Sequence, residues 1–363
     1  MKNTSYTLAF IMLIGFQAHA DTSEKVVNIY NWADYINPTI IESFEETTGI
    51  KVNYAVYSSN EVLETKLLTG NTGYDVVFPG GGFFERQINA EVFHQIDKQQ
   101  LSHYGNLDDE IKERAQVSDP GNKYGVPYMY GTTGIGYNVD MVTKRLGHPP
   151  EHSWDLVFKP ENAAKLADCG IAFIDSPAEV TSIALNYLGL DPNSEKQTDL
   201  DQVNTLLQSV RSSIRYFDST NILNDLASGD ICIAVGYNGD MLLAQARTIE
   251  VQNNHHIAYI TPKEGSLLWL DVMAIPADAP HKDSAYKFIN YILDAEIAAS
   301  ASNYVLFAIA NKAAEPYLLD DVKNNTAIYP SQSIKSSLFV LKAHTAKFDR
   351  KLSRIWTNIK TNH

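Results

Sequence analysis

Residues Val26 to Tyr57 read VVNIYNWADYINPTIIESFEETTGIKVNYAVY. VVNIY opens as an apolar strand. NPTIIESFEETTG then carries the marks of a helix: Asn37 as cap, Pro38 at the first helical position, Ile41 and Phe44 on one face, and Gly49 as stop. KVNYAVY is a second strand. Strand, helix and strand in this order form one unit of an α/β fold with a mostly parallel sheet. One detail resists that simple picture. Trp32, Asp34 and Tyr35 stand together at the end of the first strand. A core wants the Trp but not the Asp, and a solvated loop wants the reverse.

The alternation continues. NEVLETKLLTG predicts a helix capped by Asn60 and closed by Gly70. YDVVFP is a third strand, broken at Pro79-Gly80-Gly81-Gly82. GTTGIGYN, Gly131 to Asn138, is a Gly-rich extended piece that reads as a crossing to a second lobe. There the pattern restarts with CGIAFID as strand, SPAEVTSIALNYLG as helix and DICIAVGY as strand. IAYITP and LLWLDVMAIP are strands that return to the first lobe. DSAYKFINYILD is an amphipathic helix with Ala285, Phe288, Ile289 and Ile292 on one stripe. The tail from Asn311 reads as helical and loosely packed. The expected division is therefore 26–132 with about 258–310 as one lobe, and 133–257 with about 311–363 as the other. Ligands of open α/β sheets sit beyond the carboxyl ends of the strands, here in the cleft between lobes.

The first twenty residues, MKNTSYTLAFIMLIGFQAHA, read as a secretory signal peptide cut after Ala20. Their apolar run is too short to span a bilayer, and no other stretch approaches ~18 uninterrupted apolar residues. The chain is expected to be exported to the periplasm and to act as a monomer. Cys169 and Cys232 are its two cysteines. An even count in an exported protein suggests one disulfide, with two buried thiols as the other reading. Neither a CxxC nor a Cys/His cluster suggests a metal. The formal charge is −14, and loss of a leader carrying Lys2 makes it one unit more negative. Phosphates repel such a chain, which makes it a poor nucleic-acid binder; it would attract cations, the other reading being that the charge only keeps it soluble.

Enzyme signatures fail. There is no phosphate loop, no H-E-x-x-H and no G-x-S-x-G. SAYK, Ser284 to Lys287, matches S-x-x-K but lies on the amphipathic helix without partner motifs. His255 and His256 are adjacent at a strand start and point to opposite faces. What recurs is an acid beside an aromatic at a strand end. Asp34 lies between Trp32 and Tyr35, Asp240 follows Tyr237 by three residues, and Asp271 follows Trp269 by two. Glu179 opens a helix after CGIAFID. Each has a structural alternative: Asp34 as a turn residue, Asp240 as a helix cap, Glu179 as half of a capping box with Ser176, and the aromatics as core. Asp271 is hardest to account for that way, since an acid inside LLWLDVMAI is costly to bury alone.

Carboxylates walled by aromatics, with no basic residue in the same motifs, suit an organic cation. An ammonium gains about 1.5–3 kcal/mol per charge-assisted hydrogen bond and ~0.5–2 kcal/mol from an aromatic face. Two or three such contacts reach roughly micromolar affinity, about −8 kcal/mol. A basic amino acid would need an Arg or Lys for its carboxylate, and an enzyme would need a nucleophile or metal beside the acids; no motif supplies either.

The phrases YNWADYI, PYMYGTTGIGYN, SWDLVFKPEN, LNYLGLDPNS, NDLASGDICIAVGYNGD and DVMAIPADA resemble, in order, the periplasmic putrescine- and spermidine-binding receptors of ABC transporters. The resemblance runs from about Val26 to the C-terminus. It implies a two-lobed type II periplasmic binding protein fold that closes on its ligand and needs no cofactor. It also implies that Asp34 holds one amino group in a slot lined by Trp32 and Tyr35. Glu179 matches a cleft glutamate, and Asp240 and Asp271 the acids of the other amino group. Trp269 stands where putrescine receptors carry Phe and spermidine receptors Trp. Cys169 and Cys232 match a cysteine pair. The chain departs at Ala33 and Gly80, each in place of Ser, at Tyr237 in place of Trp, and at Phe307 in place of Tyr. These changes remove volume and hydrogen-bonding groups, and predict a roomier pocket for a triamine such as spermidine or norspermidine. The implied partner is an inner-membrane ABC permease, and the alternative is a membrane signalling protein that reads the same closure.

Overall fold

The computed structural model describes residues 25–361 apart from 251 and 254; the expected leader, residues 1–20, lies outside them. The strands are β1 (Val26–Trp32), β2 (Lys51–Tyr57), β3 (Val76–Val77), β4 (Gly125–Asn138), β5 (Ile171–Phe173), β6 (Ile214–Phe217), β7 (Ile233–Tyr237), β8 (Ile257–Ile260), β9 (Leu268–Ala274) and β10 (Ala308–Ile309). They join in the order β2-β1-β3-β9-β4-β7-β5-β6, with β8 and β10 also on β4. β1, β2 and β3 are parallel in one lobe, and β5, β6 and β7 in the other. β4 and β9 run antiparallel to their neighbours. That mixed centre follows from the route: a chain that crosses between lobes and returns must run back beside itself.

The first crossing is not a loop. β4 is buried along its whole length. Its residues up to Thr132 pair with β9, and those from Thr133 pair with β7, so one unbroken strand belongs to both lobes. At Gly131 a side chain has no room: a β-carbon would lie 2.3 Å from Trp269 Cζ2 and 2.3 Å from Asn238 Oδ1.

Local signals decide the flanking helices. In Pro38–Thr48 the Asn37 side chain accepts from the Thr39 amide, and Gly49 ends the helix at φ 65°. In Asn60–Thr69 the cap is Ser59, which accepts from the Val62 amide, rather than the expected Asn60. The Asn60 side chain is occupied elsewhere, accepting from the Gly80 amide at 3.3 Å.

Two large cores result, one around Ile29, Phe44, Phe78, Tyr128 and Phe288, the other around Trp154, Phe158, Phe173 and Val235. The division differs from the expected one. Ile260 and Leu267 join the second core, whereas Ala314, Val322, Ile328 and Leu338 join the first. The chain then crosses a third time, where the Leu268 amide donates to the Phe339 carbonyl at 2.8 Å and the Phe339 amide to the Ser266 carbonyl at 3.1 Å. The tail is not loosely packed. Helix Ala346–Thr361 buries Trp356 and Ile359 in the second core, and Arg211 donates to the carbonyls of Ile359 and Lys360 at 2.6 and 2.8 Å. The lobes also touch directly: the Asn238 side-chain amide donates to the Ala327 carbonyl at 2.8 Å, and the Ala343 backbone amide to Glu85 at 2.8 Å. Among the described residues, no helix is long and apolar enough to cross a membrane.

Cys169 and Cys232, both buried in the second core, form a disulfide across 63 residues of sequence. A bridge over a loop of this length constrains the unfolded chain by about 2–4 kcal/mol. The C169A/C232A variant should lose about that much stability in chemical denaturation. An unchanged midpoint would show that the bridge contributes nothing.

Candidate functional site

The carboxyl end of β1 sets one wall. The Trp32 indole N–H donates to the Phe78 carbonyl at 3.0 Å, and the Tyr57 hydroxyl donates to the same oxygen at 2.6 Å. The two rings pack with centroids 4.7 Å apart. Tyr35 turns inward, edge-on to Tyr128 at 5.5 Å and Phe307 at 5.8 Å. Tyr128 fixes this turn by donating its hydroxyl to the Tyr35 carbonyl at 2.9 Å.

Asp271 points from β9 into this aromatic box. Its backbone pairs with Gly80 on one side and Met129 on the other. Burial pushes its carboxyl up to about 7, opposed by the Tyr35 hydroxyl and reinforced by the charge of Glu179. The Tyr35 hydroxyl is itself buried, beside this carboxylate. Trp269 closes the box, edge-on to Phe307 at 4.9 Å and to Tyr237 at 6.1 Å.

The second lobe supplies Glu179, Tyr237 and Asp240. Glu179 lies in the first turn of helix Pro177–Tyr187, but Ser176 makes no side-chain cap there, so the capping box does not form. The Glu179 carboxylate instead accepts from the Thr133 hydroxyl at 3.0 Å and the Tyr237 hydroxyl at 2.9 Å. Burial raises its pKa, and the hydroxyls of Tyr237, Thr133 and Ser176 hold it down. Asp240, in the first turn of helix Asn238–Glu250, is pushed up to about 7 by burial. Tyr237 is the meeting point: the charges of Glu179, Asp240 and Asp271 all act on its hydroxyl, whose pKa burial has already raised. Among the described residues, no Lys, Arg or His is among the main influences on the three acids.

Asp34 is the exception among the sequence candidates. It is exposed in a left-handed turn, φ 52°, and makes no hydrogen bond or ion pair to the other acids. Its charge acts on Tyr54 instead. Several residues escape the sequence reading. Tyr57 ends a strand with an aromatic, as Trp32 does, and the same rule could have found it. Thr133 and Tyr128 are ordinary buried strand residues by pattern. Glu61, in the first turn of helix Asn60–Thr69, acts on Glu179 from the opposite lobe. Among the described residues no group of three or more His, Cys, Asp or Glu side chains forms a metal site.

Three acids without a counter-charge make a cation trap, and an empty trap holds protons. Asp240 and Asp271 keep their protons up to about 7 in the folded chain and release them near 3.8 when it unfolds. The folded state then binds more protons across that window, so this pair costs stability as pH rises from about 4 to about 7. The D240N/D271N variant, which mimics the protonated pair, should gain in Tm over the parent as pH rises from 5 to 8 without ligand. A Tm difference independent of pH would contradict the burial of these charges.

Comparison with known proteins places this geometry in a family. The model of the bacterial extracellular solute-binding protein family matches residues 39–330. The chain is 48% identical over 340 residues to the putrescine-binding periplasmic protein PotF of Escherichia coli (strain K12), covering 93% of this chain and 92% of that one. It is 43% identical to the putrescine-binding periplasmic protein SpuD of Pseudomonas aeruginosa (strain UCBPP-PA14), with 99% of each covered. Among solved structures, the spermidine/putrescine ABC transporter substrate-binding protein PotD from Streptococcus pneumoniae superposes with a TM-score of 0.80 at 30% identity, over 93% of this chain and 99% of that one. These relatives are solute-binding proteins and not enzymes. The chain belongs to the bacterial extracellular solute-binding protein family, with the two-lobed α/β fold of a PotD-type periplasmic binding protein.

Proposed function

We propose that this chain is a periplasmic receptor that captures a polyamine of the spermidine, norspermidine or putrescine class in the interlobe cleft and presents it to an inner-membrane ABC permease. The observation that carries the reading is that Glu179, bonded to Tyr237 at 2.9 Å, Asp240 and Asp271 all act on that one hydroxyl, and that among the described residues no basic residue is a main influence on them. Each carboxylate offers a charge-assisted bond to an ammonium. Trp32, Tyr35, Trp269 and Phe307 provide faces for the methylenes between nitrogens and for the cations themselves. The names of the relatives, putrescine- and spermidine-binding proteins, support the same ligand class.

A triamine suits the site best. Acids are spread from Asp271 in the first lobe to Glu179 and Asp240 in the second, and Trp269 covers a long alkyl segment. Asp34, at the rim of the first lobe, takes the nitrogen that emerges there. Binding draws the lobes together and shifts the population to the closed form, which the membrane partner reads. If affinity capture with spermidine-loaded protein returned a membrane signalling protein and no permease, the partner would change and the ligand would not.

Thermal-shift and calorimetric titration with putrescine, cadaverine, spermidine, norspermidine, spermine and arginine tests the ligand. Spermidine and norspermidine should bind at least as tightly as putrescine, and arginine should not stabilise. D271N and D240N should each weaken the best ligand by about 10–100-fold, the loss of one charged hydrogen bond. Below pH 7 affinity should fall by roughly tenfold per pH unit for each proton released on binding. Tight putrescine binding without triamine binding would remove the triamine, and parent-like affinity in both variants would remove the site.

A further inference from the structure

We propose that Gly80 is a positioning residue for the Asp271 carboxylate, and that its missing side chain sets how long an amine the cleft accepts; this rests on the polyamine reading of the site.

The backbone at Gly80 does not ask for glycine. Its φ of −124° and ψ of 153° are extended values that any residue adopts. The next residue is different, since Gly81 sits at φ 50°, where a side chain is strained. Gly80 is glycine for space alone. A β-carbon there would lie 2.2 Å from Asp271 Oδ1 and 3.4 Å from its Cγ. The carboxylate therefore lies back against bare backbone, in the volume that a side chain at 80 would fill.

The two backbones have little freedom to part. Gly80 and Asp271 form an antiparallel bridge, and the Val272 amide donates to the Pro79 carbonyl at 3.0 Å. The Gly80 amide is held by Asn60 at 3.3 Å, and its carbonyl accepts from the Phe84 amide at 3.3 Å. Behind them Val272, Ala274 and Phe84 are buried in a common cluster. What gives way to a methyl group at 80 is the Asp271 side chain. To regain ordinary contact its oxygen must retreat by about 1.2 Å, comparable to the rise of one methylene in an extended chain. On this proposal the retreat is on the cleft side, where Tyr35 and the charge of Glu179 act on the carboxylate. The distance from this carboxylate to the acids of the second lobe then shortens, and the longest ligand suffers first. Misfit by one methylene is worth about 10-fold or more in discrimination.

The test is the ratio of dissociation constants for spermidine and putrescine. In G80A and G80S this ratio should move by about tenfold or more toward putrescine. D271E, which pushes the carboxylate forward while leaving Gly80 in place, should move it the same way. A ligand-free measurement isolates the contact. G80A should lower Tm in the parent but not in the D271A background, where the oxygen it meets is gone. If the parent binds neither amine, the polyamine reading fails and this inference with it. If the parent binds both and the ratio is the same in G80A and D271E, the inference alone is overturned. A loss of Tm in G80A that persists in D271A overturns the steric route through Asp271.

Discussion

The charges of Glu179, Asp240 and Asp271 all act on one hydroxyl, that of Tyr237, and among the described residues no lysine, arginine or histidine is among the main influences on these acids. Taking carboxylates out of water without a counter-charge is unfavourable. The empty protein limits that cost in two ways. Glu179 stays anchored by two hydroxyls, and the two aspartates hold protons near neutrality. Neither device neutralises the cluster as well as an ammonium does. On the proposed reading, ligand binding replaces those protons by cations.

The fold places these acids by sharing one strand between two lobes. β4 gives its first half to one sheet and its second half to the other, so the cleft opens beside a continuous buried backbone. Thr133, the residue at which β4 changes partners, donates its hydroxyl to Glu179. Thr132, one residue earlier, donates its backbone amide to the Asn238 side chain at 3.2 Å, close in sequence to Asp240. The shared strand and the acids of the cleft are bonded neighbours. Two more crossings, at 261–268 and 339–345, join the lobes beside this strand. The lobes also meet through Asn238 and Ala327.

Much of this is legible in the sequence wherever the signal is local. Asn37, Pro38 and Gly49 announce their helix because capping is chemistry of adjacent residues. Asp271 stands out because an acid in an apolar strand is too costly to keep unless it meets a partner or a ligand. Glu179 is ambiguous by sequence, since Ser176 three residues earlier offers a capping box; only the tertiary structure shows its carboxylate bonded to Thr133 and Tyr237 instead. The tail misleads, because Ala314, Val322, Ile328 and Leu338 are scattered apolar residues whose core partners are distant in the chain. Asn60 looks like a cap, but its side chain serves Gly80. Gly80 itself reads as a lost hydroxyl, whereas the volume it frees is occupied by a carboxylate. Asp34 has a site-like sequence setting, yet its side chain stands exposed in a turn, apart from buried Asp271 and half-buried Glu179 and Asp240.

The central claim is that separate acids converge on one flexible cation. A crystal structure grown with spermidine near pH 8 tests it most directly. The account predicts ammonium nitrogens within ~3 Å of Asp271 and of Asp240 or Glu179, with the alkyl chain against Trp269. A triamine bound outside the cleft, with those three carboxylates touching only protein and water, would contradict it.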